Sequence, residues 1–218
     1  MYEYFAYIAI VLNFALAIFV YTKNPKKRTN WLFGIVLLLA AFWQISKLIE
    51  KSALDANTAF IAERLIWTSV IFLVAVFLDF AKELIGRKEY TGFYRSLVYV
   101  MAICLVIILW TSKVFILHSE IRKGSFTEVY NFGAFALFVY VFLLWLYAMI
   151  NLITAYLNVK GILKRKLRYV VIGTSIPVIS LITDGLFPMM GYVILPTIVG
   201  SLTMSLMAVI ITYSFVLK

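Results

Sequence analysis

The sequence predicts an all-α integral membrane protein, a bundle of seven transmembrane helices, and three observations lead there. Hydrophobic residues make up 64% of the 218 positions, only 14% are charged, and the mean hydropathy is +1.00. A soluble domain sits nearer half apolar and a quarter charged. The apolar residues also come in long unbroken runs rather than ten-residue alternations. Backbone amides in hydrocarbon need internal partners, so spans are helices or closed barrels, and long runs select helices.

About 20 apolar residues cross a bilayer, and seven runs qualify, at roughly 4–22, 31–50, 59–81, 95–113, 132–157, 168–185 and 196–217. The opening "MYEYFAYIAIVLNFALAIFVYTKNPKKR" has no basic n-region and no small-residue cleavage site, so it reads as a retained first span. The connections are short. The longest, at 114–131, carries Gly124 and mixed charge. No extramembrane domain, linker, repeat or low-complexity segment interrupts the chain, so 1–218 is expected to be one domain.

The net charge is +10 and the pI about 9.6. Fourteen of the Lys and Arg residues fall in one set of loops, from Lys23–Arg28 through Lys82–Arg95 and Lys160–Arg168 to Lys218. Six fall on the other side: Lys47, Lys51, Arg64, Lys113, Arg122 and Lys123. By the positive-inside rule the N-terminus is outside and the C-terminus cytoplasmic, in a multi-pass plasma-membrane protein. Tyr4, Trp31, Tyr94 and Tyr169 suit interfacial anchors. Interleaved spans leave no basic face for nucleic acid. The single cysteine, Cys104, rules out an intrachain disulfide and a cysteine-based zinc site.

Polar groups inside spans are costly, and each is a functional hypothesis. At ~1.5 Å per residue, Lys47 and Asp184 each lie ~24 Å along a span that starts in the cytoplasm. Glu63 and Arg64 lie ~6–8 Å below the outer surface on span three. The four share one layer in the outer third, where two acids and two bases would lower each other's cost. Trp43, Lys47 and Glu50 follow at i, i+4 and i+7 on span two, and Glu63 and Trp67 at i and i+4 on span three. If the two stripes face each other they line an outward-opening, aromatic-walled pocket. Its candidate ligand contacts are Trp43, Lys47, Glu63, Arg64, Trp67, Asp184 and Tyr192, with Trp110 and Tyr130 near. The competing reading is a structural salt-bridge layer, or a snorkelling Lys47 with Trp43 and Trp67 against lipid.

Elsewhere the polar residues suggest structure. Asp79 falls at the cytoplasmic interface and is expected to pair with Lys82 or another loop base. Asn13, Gln44, Thr68 and Ser69 suit bonds across helices, and Thr197, Ser201 and Ser205 form a small-residue packing stripe. Pro177 removes a backbone donor and clashes with the carbonyl of Gly173, so span six should kink there. "DG" at 184–185 reads as a turn, and Pro196 suits the first turn of span seven.

The motifs of catalysis are missing. His118 is the single histidine, no ligand cluster has metal spacing, and no phosphate loop or nucleophile elbow occurs. Span seven has no central lysine for retinal. The sequence therefore indicates neither an enzyme nor a cofactor.

Three stretches resemble the N-terminal seven-transmembrane sensor region of bacterial and archaeal histidine kinases. They are "NWLFGIVLLLAAFWQISKLIEKSALDANTAFIAERLIWTSVIFLVAVFLDFAKELIG", "NFGAFALFVYVFLLWLYAMINLITAY" with a basic turn after it, and "IPVISLITDGLFPMMGYVILPTIVGSLTMSLMAVIITYSFVLK". The matching features are an Asn and apolar run, a Trp late in span two, an Ala-rich start to span three, and Ile-Pro in span six. A short loop and a Pro opening span seven complete the set. The resemblance implies a non-catalytic sensory module, dimeric, embedded in membrane lipids. It would receive a small molecule or lipid in the outer half and signal to a cytoplasmic or membrane partner. The sequence ends at Lys218, where a kinase or cyclase output would begin. That suits either a sensor module cut from a longer chain or a protein acting through a membrane partner. The alternatives are a small seven-helix transporter or channel, or an accessory membrane subunit.

Overall fold

A computed structural model describes residues 2–86, 92–122, 125–186 and 198–216. Helix α1 (Tyr2–Lys23) is followed by α2 (Arg28–Ser52), α3 (Ala56–Ile85) and α4 (Gly92–Thr111). Strands β1 (Ile116–Arg122) and β2 (Ser125–Tyr130) form a hairpin before α5 (Phe132–Asn158). The sixth segment is α6 (Gly161–Ser175), α7 (Pro177–Ser180) and a π-helical turn (Leu181–Leu186), and α8 (Ile198–Val216) follows. Six helical segments are long and apolar enough to cross a membrane, and a shorter seventh, Gly200–Val216, is also apolar.

Chain chemistry sets several of the ends. Asp55 caps α3 by accepting from the Thr58 amide at 2.8 Å and its hydroxyl at 2.7 Å. Gly86 ends the same helix in the left-handed region, with φ of 67°. Asn131 caps α5 by accepting from the Phe132 amide. The sixth segment starts at Gly161, seven residues earlier than the apolar run alone suggests, because the helix carries Lys164, Arg165, Lys166 and Arg168 on its first turns. Pro177 separates α6 from α7. The Gly173 carbonyl, which Pro177 cannot serve, accepts from the Ile176 amide instead. The expected turn at 184–185 is corrected: helical winding continues to Leu186, with one widened turn after the proline break. Connection 114–131 is likewise more than a loop, being a two-stranded antiparallel ladder in which Ile116 pairs with Tyr130 and Arg122 with Ser125.

Packing follows a ring, in which α1 meets α2, α2 meets α3, α3 meets α5, α5 meets α6, α6 meets α8, and α8 returns to α1. Helix α4 leans on α3 from outside that ring. Helix α3 is buried over most of its length, whereas α4 buries only Ala102 and Leu109, which makes α3 the central element and α4 a peripheral one. At the end of the bundle remote from the hairpin, Phe33, Phe80 and Phe215 stack with centroids 5.2–6.3 Å apart and join α2, α3 and α8. Asp79 lies at the same end. It takes Arg28 at 3.2 Å and Arg95 at 3.0 Å rather than Lys82. Lys82 turns to Tyr147 and Asn151 of α5, at 3.0 and 2.9 Å. Asn13 donates to Gln44 across α1 and α2, whereas Ser69 bonds within its own helix.

Helices α6 and α8 approach closely at Gly173. A Cβ there would lie 2.7 Å from Ile211 Cγ1 and 3.3 Å from the Met207 carbonyl. This contact, rather than the Thr197/Ser201/Ser205 stripe, is the tight one seen; Thr197 is outside the described residues. We predict that Gly173→Ala destabilises the fold by about 1–3 kcal/mol, as overpacking does. Adding Ile211→Ala should recover part of the loss in thermal unfolding, and equal stability of Gly173→Ala and wild type would contradict the contact.

Asp55 lies outside the spans, and its hydrogen bonds to the Thr58 hydroxyl and amide hold its carboxyl below the usual aspartate value. A depressed carboxyl stabilises above its unfolded pKa and loses that contribution as pH falls through the folded value. The protection factor of the Thr58 amide should therefore be flat above about pH 4 and fall below it. Asp55→Asn should remove the acid-side drop, and a drop that persists in that variant would assign it to another group.

Candidate functional site

The hairpin end of the bundle holds a cluster of buried charge. Trp43, Lys47 and Glu50 rise along one face of α2, as helical spacing requires, and Glu63 and Trp67 rise along the facing stripe of α3. Lys47 Nζ is 2.9 Å from Glu50 Oε2 and 3.8 Å from Glu63 Oε2. One ammonium thus serves two carboxylates, one on its own helix and one across the interface. Glu63 is 2% exposed, and its Oε1 accepts from the Tyr130 hydroxyl at 2.6 Å. Tyr130 is the last residue of β2, so the hairpin reaches down to the cluster and ties itself to α3.

Below the charges lies a cavity of about 90 Å³. Trp43, Lys47, Glu63 and Trp67 line it, together with Trp145 of α5, Pro177, Val178, Ser180 and Leu181 at the break in the sixth segment, and Met204 of α8. Both Trp43 and Trp67 are 6% exposed, so neither spreads over lipid. The Lys47 side chain is 12% exposed and turns to the carboxylates, which removes the snorkelling alternative. Two polar atoms of the wall lack a hydrogen bond: Glu63 Oε2 and Trp67 Nε1. The indole N–H lies beside the Glu63 carboxylate, close enough to interact with it.

The other candidates separate. Arg64 does not join the cluster. Its guanidinium donates to the carbonyls of Trp110 at 3.0 Å and Ser112 at 3.3 Å, and lies over the Phe60 ring at 4.3 Å. It neutralises the C-terminal end of α4, where unpaired carbonyls collect. Consecutive helix residues are ~100° apart, so Glu63 and Arg64 could not face one partner. Trp110 donates its indole N–H to Thr68 and belongs to the same α3–α4 seam. Asp184 lies on the π-helical turn; its side chain is outside the described residues, as is Tyr192.

Trp145, Ser180, Leu181 and Met204 were not singled out by sequence. Trp145 carried a signal, since a tryptophan in the middle of an apolar span is far from the interfaces where tryptophan collects. Pro177 was expected as a break but not as a wall. Among the described residues no group of His, Cys and carboxylates is placed to hold a metal.

A multi-pass helical membrane protein with a buried polar cluster over a tryptophan-lined cavity is the class that this fold and site define. The chain belongs to the family of N-terminal seven-transmembrane regions of histidine kinases, whose match covers residues 5–217. It is therefore a membrane input region of the histidine-kinase type, the family its sequence resembles. No curated protein matches the chain closely enough to add a relative to this finding.

The cluster makes a prediction. Removing one partner of a buried pair leaves an uncompensated charge, at a cost of about 3–5 kcal/mol. Lys47→Met should lower unfolding stability in lipid nanodiscs by that order, and Lys47→Met with Glu50→Gln and Glu63→Gln should recover most of it. A Lys47→Met protein as stable as wild type would show that the ammonium is not what neutralises the carboxylates.

Proposed function

We propose that this chain is a sensor whose ligand enters the cavity under Lys47 and Glu63, and whose output leaves at the C-terminal end of α8. The observation that carries the reading is the composition of the cavity wall. It brings together α2, α3, α5, the Pro177 break and α8. The break supplies a segment whose backbone ladder is already interrupted, so a small displacement there costs little hydrogen bonding. Met204 belongs to the same helix as Phe215, which stacks on Phe33 at 5.3 Å at the far end of the bundle. A group entering the cavity would press on Ser180, Leu181 and Met204, and α8 would carry the change to the Phe33–Phe215 contact. In this reading the hairpin end is outside and the end of α8 cytoplasmic, as the fourteen-to-six division of Lys and Arg requires. The chain acts in one piece, as a homodimer, with the kinase as its cytoplasmic partner.

The ligand works only through differential affinity for two arrangements of α8. Filling the cavity with a side chain should imitate it. With the chain fused through Val216 to a histidine-kinase output domain, Ser180→Phe and Val70→Phe are each expected to move autophosphorylation at least about fivefold, equivalent to ~1 kcal/mol of bias. Cys104→Ser, on the exposed face of α4, should leave it unchanged. If both cavity-filling variants fold and neither changes the kinase, the cavity is not the input.

A further inference from the structure

A second pocket lies at the other end of the bundle, beside the joint of Phe33, Phe80 and Phe215. We infer that it is a site for a phosphate, supplied by the headgroup of an anionic phospholipid. It is a different place from the cavity under Lys47, and the inference stands without the sensor reading.

Placement is the first argument. Helix α1 ends at Lys23 and α2 starts at Arg28, and both are long and apolar enough to cross a membrane. The short turn between two such helices sits at the level of the headgroups, where the phosphates of a bilayer are. The pocket lies beside that turn and has a volume of about 250 Å³. Lys23 of α1, Lys27 of the turn, Thr29 of α2, Lys166 of α6 and Ser214 of α8 meet there.

Charge is the second. The wall holds three ammoniums and no carboxylate. Among the described residues, none of Lys23, Lys27 and Lys166 is within ion-pair distance of an acid. Lys23 lies 5.8 Å from the Phe19 ring, a contact that uses none of its hydrogen-bond donors. Glu83, next in sequence to the wall residue Leu84, is engaged by Arg28 at 3.8 Å. The start of α2 adds to the field. Its N-cap residue, Lys27, makes no side-chain cap, and its first turn has no acid, so no side chain of that turn answers the positive end of the helix. An anion is what such a place attracts.

Hydrogen bonding selects phosphate among anions. Thr29 and Ser214 are buried, at 4% and 3% exposed, and bring hydroxyls to the lysines. The Thr29 hydroxyl has only a long contact of 3.5 Å to Asn30 Oδ1. Asn30 Nδ2 donates to the Val20 carbonyl at 3.0 Å and fixes α2 on α1, so the frame exists before a ligand arrives. Three ammoniums and two hydroxyls outnumber the two oxygens of a carboxylate and suit the several oxygens of a phosphate. Leu84 and Phe215 make the apolar side of the wall and suit the glycerol and the first methylenes. Because Phe215 also stacks on Phe33 and Phe80, an occupied site holds the end of α8 against α1, α2 and α6.

The test uses the full chain, stripped of its own lipid, in nanodiscs of phosphatidylcholine with and without phosphatidylglycerol. Retained lipid is read by native mass spectrometry and stability by Tm. Phosphatidylglycerol should be retained at least about tenfold over phosphatidylcholine and should raise Tm, as a ligand of the folded state does. Each of Lys23→Gln, Lys27→Gln and Lys166→Gln should weaken retention about fivefold. The triple variant should lose the Tm gain. A second triple variant, Lys26→Gln with Lys160→Gln and Arg165→Gln, removes the same charge outside the pocket wall and should keep it. Equal losses in the two triple variants would show diffuse attraction to the surface and overturn the site. In wild type alone, oleate in place of phosphatidylglycerol should give no gain, and an equal gain would overturn the preference for phosphate. Glycerol phosphate that reproduces the gain in phosphatidylcholine nanodiscs would overturn the lipid as its source.

Discussion

A carboxylate at 2% exposure inside an apolar bundle is the constraint around which the hairpin half is arranged. Left alone, Glu63 would cost several kcal/mol. Three elements meet to prevent that: α3 carries the residue, α2 brings Lys47, and β2 brings Tyr130. The pairing sets the rotation of α2 against α3, because Lys47 must face Glu63 while keeping Glu50 at 2.9 Å. With that rotation set, Trp43 and Trp67 are turned inward and the space below the charges is walled. The cavity thus takes the α2 and α3 part of its wall from the same rotation that neutralises the charge.

The far half rests on different physics. Asp79 is held by Arg28 and Arg95, which come from α2 and α4, so a second buried acid joins three helices. Arg28 is 42% exposed, and that pair contributes less to stability than its distance suggests. The stacked Phe33, Phe80 and Phe215 add an apolar joint beside it. Helix α3 takes part in both halves, which accounts for its burial. Helix α8 touches both as well, through Met204 at the cavity and Phe215 at the joint. Membership of the histidine-kinase input family gives this arrangement its sense, since α8 is the last described helix of a region that in such kinases precedes the output.

Much of the bundle was legible from composition and spacing. The long runs locate the helices to within a few residues, except at the basic start of the sixth segment, because hydrocarbon leaves a chain no other regular structure. The break at Pro177 follows from a missing amide. The hairpin at Ile116–Tyr130 was harder, since a short two-stranded ladder has a weak pattern and this one lies between two strong apolar signals. The site was legible in height but not in direction. Depth along a span places Lys47, Glu63 and Arg64 in one layer, yet it says nothing of the neighbour each side chain faces.

The sequence by itself determined that this chain is a multi-pass membrane protein and roughly where its helices run, because both depend on local hydropathy. Only the tertiary structure decided which base meets which acid. Lys47 takes Glu50 and Glu63 while Arg64, one residue beyond Glu63, turns ~100° away to the end of α4. It also decided that Tyr130, Trp145 and Met204 complete the site, since those residues are distant in sequence and only packing brings them to one place.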